Sequence, residues 1–346
     1  MGIELMTYEP RFTITPSILD KVMKITERLT RMRYDGSRCT PYLRRINRLR
    51  SLHSSLAIEG NSLSFDEVVA IIDGREVIGQ SDEIKEVENF RAANDMIGSI
   101  DPLSMDDLLM MHGVMMDGII ESAGKLRKGD EGVFDGEGCC IHLAPKPEYV
   151  SDLMEQLLQW MKESNLPMIL RSCIFHYQLE YIHPFEDGNG RMGRLWQTIL
   201  LSKYDESFKW IPVESMIRSY QTGYCDAIAL SNEICDCTPF VEFMTDIILK
   251  SIDKTVEDSL KDNIGIEDDM TVNEMRLYSM IRDGYYRDIT QAANLMKVSV
   301  PTLNRCLKSL KESGAIRKIG NKKTGKWAIV ENEMMIDHTD FVDKNA

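Results

Sequence analysis

Apolar residues recur at helical spacing along most of this chain, and several of the recurrences open on a recognisable cap. Ser64-Phe65-Asp66-Glu67 forms a capping box ahead of Val68, Val69, Ile71 and Ile72. Its serine can accept from the third helical N–H while the glutamate reaches back to the cap. Ser104 opens a Met-rich stretch, Thr238-Pro239 puts proline at the first helical position, and Thr271-Val272-Asn273-Glu274 is another capping box. Strand-like sequence is confined to two places. Residues 124–145 are Gly-rich and end in proline, and residues 316–330 alternate apolar and basic around Gly320-Asn321 and Thr324-Gly325. Each predicts a β-hairpin. The expected fold class is mainly α: a helical bundle with one hairpin as a flap, followed by a smaller helix-and-hairpin unit.

A chain of 346 residues suggests two or three domains and can bury a core without disulfide or metal staples. With 43% hydrophobic and 28% charged residues, wholesale disorder is excluded. The 22 methionines read as adaptable core filler. No apolar run approaches the roughly 18 residues of a membrane helix, and MGIELMTYEPRF is not a signal peptide. The eight cysteines are scattered with no CxxC pair. That pattern predicts free thiols in a reducing compartment, hence a cytoplasmic protein.

The net charge of −14 argues against a simple nucleic-acid binder, but it is unevenly spread. Residues 271–330 hold 12 Lys/Arg against 4 Asp/Glu, while the remainder holds 29 against 51. Such asymmetry marks a separate module with its own partner. Residues 257–270 carry six acids with little periodicity and read as the linker before it.

The chemistry is concentrated in 183–194, His-Pro-Phe-Glu-Asp-Gly-Asn-Gly-Arg-Met-Gly-Arg. Helical patterns precede and follow it, so it is a tight helix–loop–helix corner. Gly188-Asn189-Gly190 allows positive φ, which lets successive N–H groups point into one concavity. The second helix begins there, and its unpaired donors and dipole favour an anion. Arg191 and Arg194 share a helix face and offer fork-shaped cations to phosphate oxygens. Asp187 is suited to a hard cation such as Mg²⁺ or Mn²⁺ on a polyphosphate. His183 can take a proton from a hydroxyl near neutral pH, and Phe185 anchors the loop in the core. GxxxxGK[ST] is absent, so this is not a P-loop.

HPFEDGNGRMGR resembles the HxFx[DE]GNGRxxR signature of the Fic (filamentation induced by cAMP) domain family at every fixed position. The resemblance covers residues 100–250 and implies a Fic-type helical bundle. It implies transfer of AMP from ATP to a Ser, Thr or Tyr hydroxyl of a target protein, with release of pyrophosphate. His183 would then be the base and Asp187 the metal ligand. Gly188, Asn189 and Gly190 would form the anion hole, Arg191 would contact phosphates, and Arg194 would hold the γ-phosphate. The 124–145 hairpin would align the target as an added strand. Tyr224 and Asn232 resemble the family's adenine-pocket residues, although Tyr224 also reads as a core residue. Ser55-Leu56-Ala57-Ile58-Glu59-Gly60 resembles the family's inhibitory [ST]xxxE[GN] motif. Ser55 and Glu59 lie four apart on one face and Gly60 ends the helix. Glu59 would pair with Arg194 and deny the γ-phosphate its partner.

In the basic module, residues 288–297 and 300–312 read as two short helices. The second has Leu303, Leu307 and Leu310 inward and Arg305, Lys308 and Lys311 outward. With the hairpin after it, this resembles a winged helix-turn-helix, which can bind duplex DNA or dock a protein. The expected organisation is a helical region at 1–99 with the inhibitory motif, a Fic core at 100–256 and a linker at 257–270. A winged helix at 271–331 and a tail at 332–346 complete it. The alternative function is a transcriptional regulator whose Fic core senses nucleotide. Self-modification and a homodimer are compatible with either reading; a membrane partner is not.

Overall fold

The computed structural model describes residues 9–34, 39–134, 140–264, 271–282, 286, 288–312, 315–319 and 326–329. They run through α1 (Pro16–Tyr34), α2 (Pro41–Ile58), α3 (Phe65–Ile72), α4 (Ser81–Asp95) and α5 (Met105–Met115). A short hairpin follows, β1 (Gly132–Phe134) and β2 (Cys140–Leu143), and then α6 (Pro147–Glu163), α7 (Met168–Ile182) and α8 (Asn189–Tyr204). Next come α9 (Val213–Ser219), α10 (Gln221–Ile234), α11 (Thr238–Ile264), α12 (Val272–Arg282), α13 (Ile289–Met296), α14 (Val300–Glu312), β3 (Ile316–Ile319) and β4 (Lys326–Ile329). The chain is mainly helical, as the periodicity predicts. No helix among the described residues is long and apolar enough to cross a membrane.

Residues 1–260 and 261–346 form two compact units. In the first, two apolar clusters flank a central pair of helices. One cluster joins α2 through α6 to Phe175, Leu179 and Ile182 of α7 and to Met192, Leu195, Trp196 and Ile199 of α8. The other joins α1 and α9 through α11 to Ile169, Leu170, Ile174 and Tyr177 on the opposite side of α7 and to Leu201 of α8. Eleven of the fifteen residues of α7 are buried, so this helix is a pillar inside the protein rather than a one-sided surface helix. The Ser64 capping box forms with both of its hydrogen bonds, and Ser104 caps α5.

Two expectations change. Residues 257–264 form the last two turns of α11 rather than an aperiodic stretch, and the boundary between the two units, 260/261, falls among them. Ser251, Thr255 and Ser259 recur every fourth residue and are buried where leucines would be expected. The Ser251 and Thr255 hydroxyls bond back to the carbonyls of Ile247 and Ser251. A buried helix face made of hydroxyls carries no hydrophobic period. The strands of the 124–145 hairpin occupy only 132–134 and 140–143, paired antiparallel from Gly132↔Leu143 with an irregularity after Val133. Residues 124–131 run ahead of the strands, and the tip, 135–139, lies outside the described residues, as do the tail at 332–346 and the acids at 265–270.

In the second unit α12 packs on α13 and α14, and β3 pairs antiparallel with β4 from Ile316↔Ile329 to Ile319↔Lys326. Leu303, Leu307 and Leu310 are buried while Arg305, Lys308 and Lys311 are exposed. The Thr271 capping box is present, its hydroxyl and backbone N–H both donating to Glu274.

Candidate active site

The corner between α7 and α8 is built by two left-handed residues. α7 ends because His183 adopts φ 51°, with its N–H on the Leu179 carbonyl at 2.9 Å, and Pro184 cannot continue a helix. Gly188, at φ 83°, turns the chain into α8. The expectation that positive φ runs through 188–190 therefore holds at Gly188 alone. Asn189 and Gly190 already belong to the helix, and the other left-handed residue is His183 itself. The Asn189 side chain staples the loop, accepting from the Phe185 N–H at 3.0 Å and donating to the Phe185 carbonyl at 2.8 Å. Asn189 can therefore offer an anion its backbone N–H but not its amide. No side chain caps α8, so its first-turn donors keep the polarity that favours an anion.

Phe185 is fully buried and lies flat on His112, ring centroids 3.7 Å apart. His112 Nδ1 accepts from the Gly124 N–H at 2.9 Å, so the ring proton is on Nε2, which donates to the Asp187 carbonyl at 3.0 Å. Burial holds the His112 pKa below its ordinary value, with the nearby Arg191 cation acting in the same sense, so the ring stays neutral. Arg127 supports the loop from the opposite side. Its guanidinium donates to the carbonyls of His183 at 2.7 Å and Gly129 at 2.7 Å and to that of Pro145, and its N–H bonds Pro184 O at 2.9 Å. One buried arginine thereby ties the base of the hairpin to the backbone of His183.

Asp187 is half exposed and accepts from Arg191 Nη2 at 3.2 Å. Arg191 also reaches Glu86 at 2.9 Å, and its buried Nε has no partner. Among the described residues no group of three or more His, Cys, Asp or Glu could hold a metal by itself. A lone half-exposed carboxylate beside a helix N-terminus is nevertheless the donor set that magnesium uses when phosphates and water complete its shell. Asp187 fits that group.

Arg194 is the most constrained side chain of the site, 1% exposed. Its Nε donates to Ser55 Oγ at 3.0 Å, and its Nη2 donates to Ser55 O at 3.1 Å and to Glu59 Oε1 at 2.7 Å. Ser55 and Glu59 thus meet Arg194 across 139 and 135 residues of sequence. Burial alone would lower the Arg194 pKa, but Glu59 overcomes it and raises it. Glu59 is presented by the end of α2, where Gly60 at φ 94° bonds Ala57 O and the Asn61 N–H bonds Leu56 O. This paired closure is the one a left-handed glycine makes possible. Gly190 has a different reason: a Cβ there would lie 2.4 Å from Glu59 Oε1.

Tyr224 joins this cluster. Its hydroxyl is 3.1 Å from His176 Nε2 and 3.5 Å from Glu180 Oε1, and burial and then the Glu180 charge raise its pKa. Asn232 is not brought there. It lies two turns further along α10 and accepts from Tyr177 at 2.8 Å. His112, Arg127, Glu86 and Glu180 are polar residues of the site that sequence reasoning missed. Glu180 carried the one available signal, standing three residues before His183 on a helix otherwise buried.

Comparison with known proteins supplies the class. The Fic/DOC family model matches residues 102–201. The chain is similar to a Fic family protein from Desulfovibrio desulfuricans G20, 35% identical, TM-score 0.70, over 95% of this chain and 100% of that one. It also superposes on Caenorhabditis elegans Fic-1, TM-score 0.57 at 24% identity, covering 71% of this chain and 72% of that one, which speaks to fold alone. Among curated proteins it is similar to protein adenylyltransferase fic-1 of C. elegans, 29% identical over 70% of this chain and 48% of that protein. Protein adenylyltransferase Fic of Aedes aegypti is 28% identical over 59% of this chain and 41% of that protein. The chain therefore spans less than half the length of these curated relatives. It belongs to the Fic family.

Proposed function

We propose that this protein is an adenylyltransferase, moving AMP from ATP to a Ser, Thr or Tyr hydroxyl of a target protein and kept inactive by Glu59. The observation that carries the reading is the buried Arg194, held by Ser55 and Glu59 one helical turn past an uncapped helix N-terminus that also adjoins His183 and Asp187. The names of the curated relatives support the activity.

In this reading the first-turn N–H groups of α8 and Arg191 bind the phosphates, and Arg194 binds the γ-phosphate once released by Glu59. His183 Nδ1 faces the Glu180 carbonyl at 3.4 Å. With its proton there, Nε2 is free to accept one from the target hydroxyl. The hydroxyl oxygen bonds to the α-phosphorus, the bond from that phosphorus to the bridging oxygen breaks, and pyrophosphate leaves. Asp187 would hold Mg²⁺ or Mn²⁺, which supplies charge neutralisation on the phosphates when bound. β1 and β2 would receive the target chain along a strand edge. Cys39, Cys173, Cys225, Cys235, Cys237 and Cys306 are free thiols, in keeping with a cytoplasmic setting. The direct test incubates the Glu59→Gly variant, freed of the inhibitory contact, and a cell lysate with Mg²⁺ and ATP labelled at either the α- or the γ-phosphate. Transfer of the α label alone is expected. Transfer of the γ label would make the enzyme a kinase and overturn the proposal.

For residues 271–331 we propose a winged helix that binds duplex DNA. The supporting observation is local: α14 buries its leucines and exposes Arg305, Lys308 and Lys311, while β3 exposes Arg317 and Lys318. In a mobility-shift assay, the full chain should retard duplex DNA at low salt. Replacing the three α14 cations by alanine should weaken this and flatten the salt dependence by roughly 0.9 per lost phosphate contact. Absence of a shift at low salt would reassign the unit to protein docking.

A further inference from the structure

Two glycines one turn apart on α8 each make room for a carboxylate. A Cβ on Gly190 would lie 2.4 Å from Glu59 Oε1 and 3.0 Å from Arg194 Nη1; a Cβ on Gly193 would lie 2.8 Å from Glu180 Oε1. Both acids therefore lie against the N-terminal half of α8, from which Arg194 also projects, with the His176 ring beside Glu180 at Gly193. They differ in how they are held. Glu59 sits on the closing turn of α2, 30% exposed, with its carboxylate on Arg194. Glu180 stands in the last turn of α7, only 12% exposed, with Tyr224 at 3.5 Å and His176 at 3.7 Å. Burial would push the Glu180 pKa up, but His176, Arg194 and His183 together hold it below the ordinary value, so the group is an anion. A displaced Glu59 leaves Arg194; Glu180 cannot leave without unpacking α7.

We propose that Glu180 is a standing counter-charge to Arg194, weakening the site's hold on a nucleotide's terminal phosphate and thereby limiting its preference for triphosphate over diphosphate after Glu59 has moved away. The proposal rests on the reading that Arg194 takes the γ-phosphate. A phosphate arriving at Arg194 comes within the field of a buried, poorly screened carboxylate, and the repulsion subtracts from the attraction of the guanidinium. A diphosphate does not reach Arg194 and is indifferent to Glu180. Glu180 is accordingly a specificity residue whose charge acts on the phosphate at Arg194 without touching the nucleotide.

The test titrates ATP and ADP, each with Mg²⁺, into the full chain by calorimetry, comparing Glu59→Gly with Glu59→Gly/Glu180→Gln. The double variant should bind ATP about three- to tenfold more tightly, with ADP unchanged within about twofold. ATP and ADP moving together, or ATP binding unchanged or weakened, would overturn the proposal, because a carboxylate that only braces the fold does not distinguish the two. If Glu59→Gly itself binds ATP and ADP equally, the γ-phosphate reading fails first, before Glu180 is touched. Glu180→Met, similar in length and uncharged, repeats the comparison should the glutamine variant melt below its parent.

Discussion

Replacing His183 by alanine should abolish transfer while leaving ATP binding nearly intact. The side chain of His183 is not among the groups that hold Arg194 or open the first turn of α8; its contacts are the Glu180 carbonyl and, through its own carbonyl, Arg127. Loss of a general base typically costs about 10²–10⁴ in rate, and single-turnover labelling under saturating ATP, measured in the Glu59→Gly background, should show a drop of that order. His183 sits at φ 51°, a conformation that asparagine tolerates better than alanine. His183→Asn therefore removes the base with less disturbance of the corner. Both variants should fall together. Labelling by the asparagine variant at the parental rate would remove His183 from the chemistry and leave its backbone turn as its contribution.

Glu59→Gly should raise self-labelling by about 10–100-fold. Glu59 contributes a charge-assisted bond of 2.7 Å to an arginine that Ser55 also holds. Such a bond is worth about 1.5–3 kcal/mol, and 1.4 kcal/mol is a factor of ten. Glycine at this position disturbs little else, because Glu59 lies beyond the last helical residue of α2 and the closure is made by Gly60 and Asn61. Adding Arg194→Ala to the same background should return labelling to the inhibited level, since the γ-phosphate then has no partner in either state. Equal self-labelling by the parent and Glu59→Gly across a range of ATP and Mg²⁺ would make Glu59 an ordinary helix-end acid.

Much of this site could be read locally because its residues are crowded into one corner. His183, Asp187, Gly188 and the two arginines lie within twelve positions, and their types name an anion site before any fold is known. Pairing Glu59 with Arg194 was legible only through family resemblance, since nothing local links residues 135 apart. Glu180 escaped notice because its importance comes from burial between α8 and α10, which a charged residue on a helix pattern does not announce. The same limit hid the last turns of α11: Ser251, Thr255 and Ser259 are core residues by position and polar by type. The left-handed conformation was expected at the glycines, and half of it falls on a histidine held by Arg127 and Pro184.

The two apolar clusters on either side of α7 and α8 set where movement can occur. A helix clamped from both sides opens only when the whole unit does, so the pair that carries His183, Asp187 and the first turn of α8 belongs to the slow-opening part of the unit. Glu59 hangs from the end of α2, closed by a single glycine turn, with Ile58 beside it packed on the second cluster. The proposed release of Glu59 then asks only a few residues at the end of α2 to move and leaves the corner between α7 and α8 in place. The on-state inherits the rigidity of the off-state, and only the clasp needs to be soft.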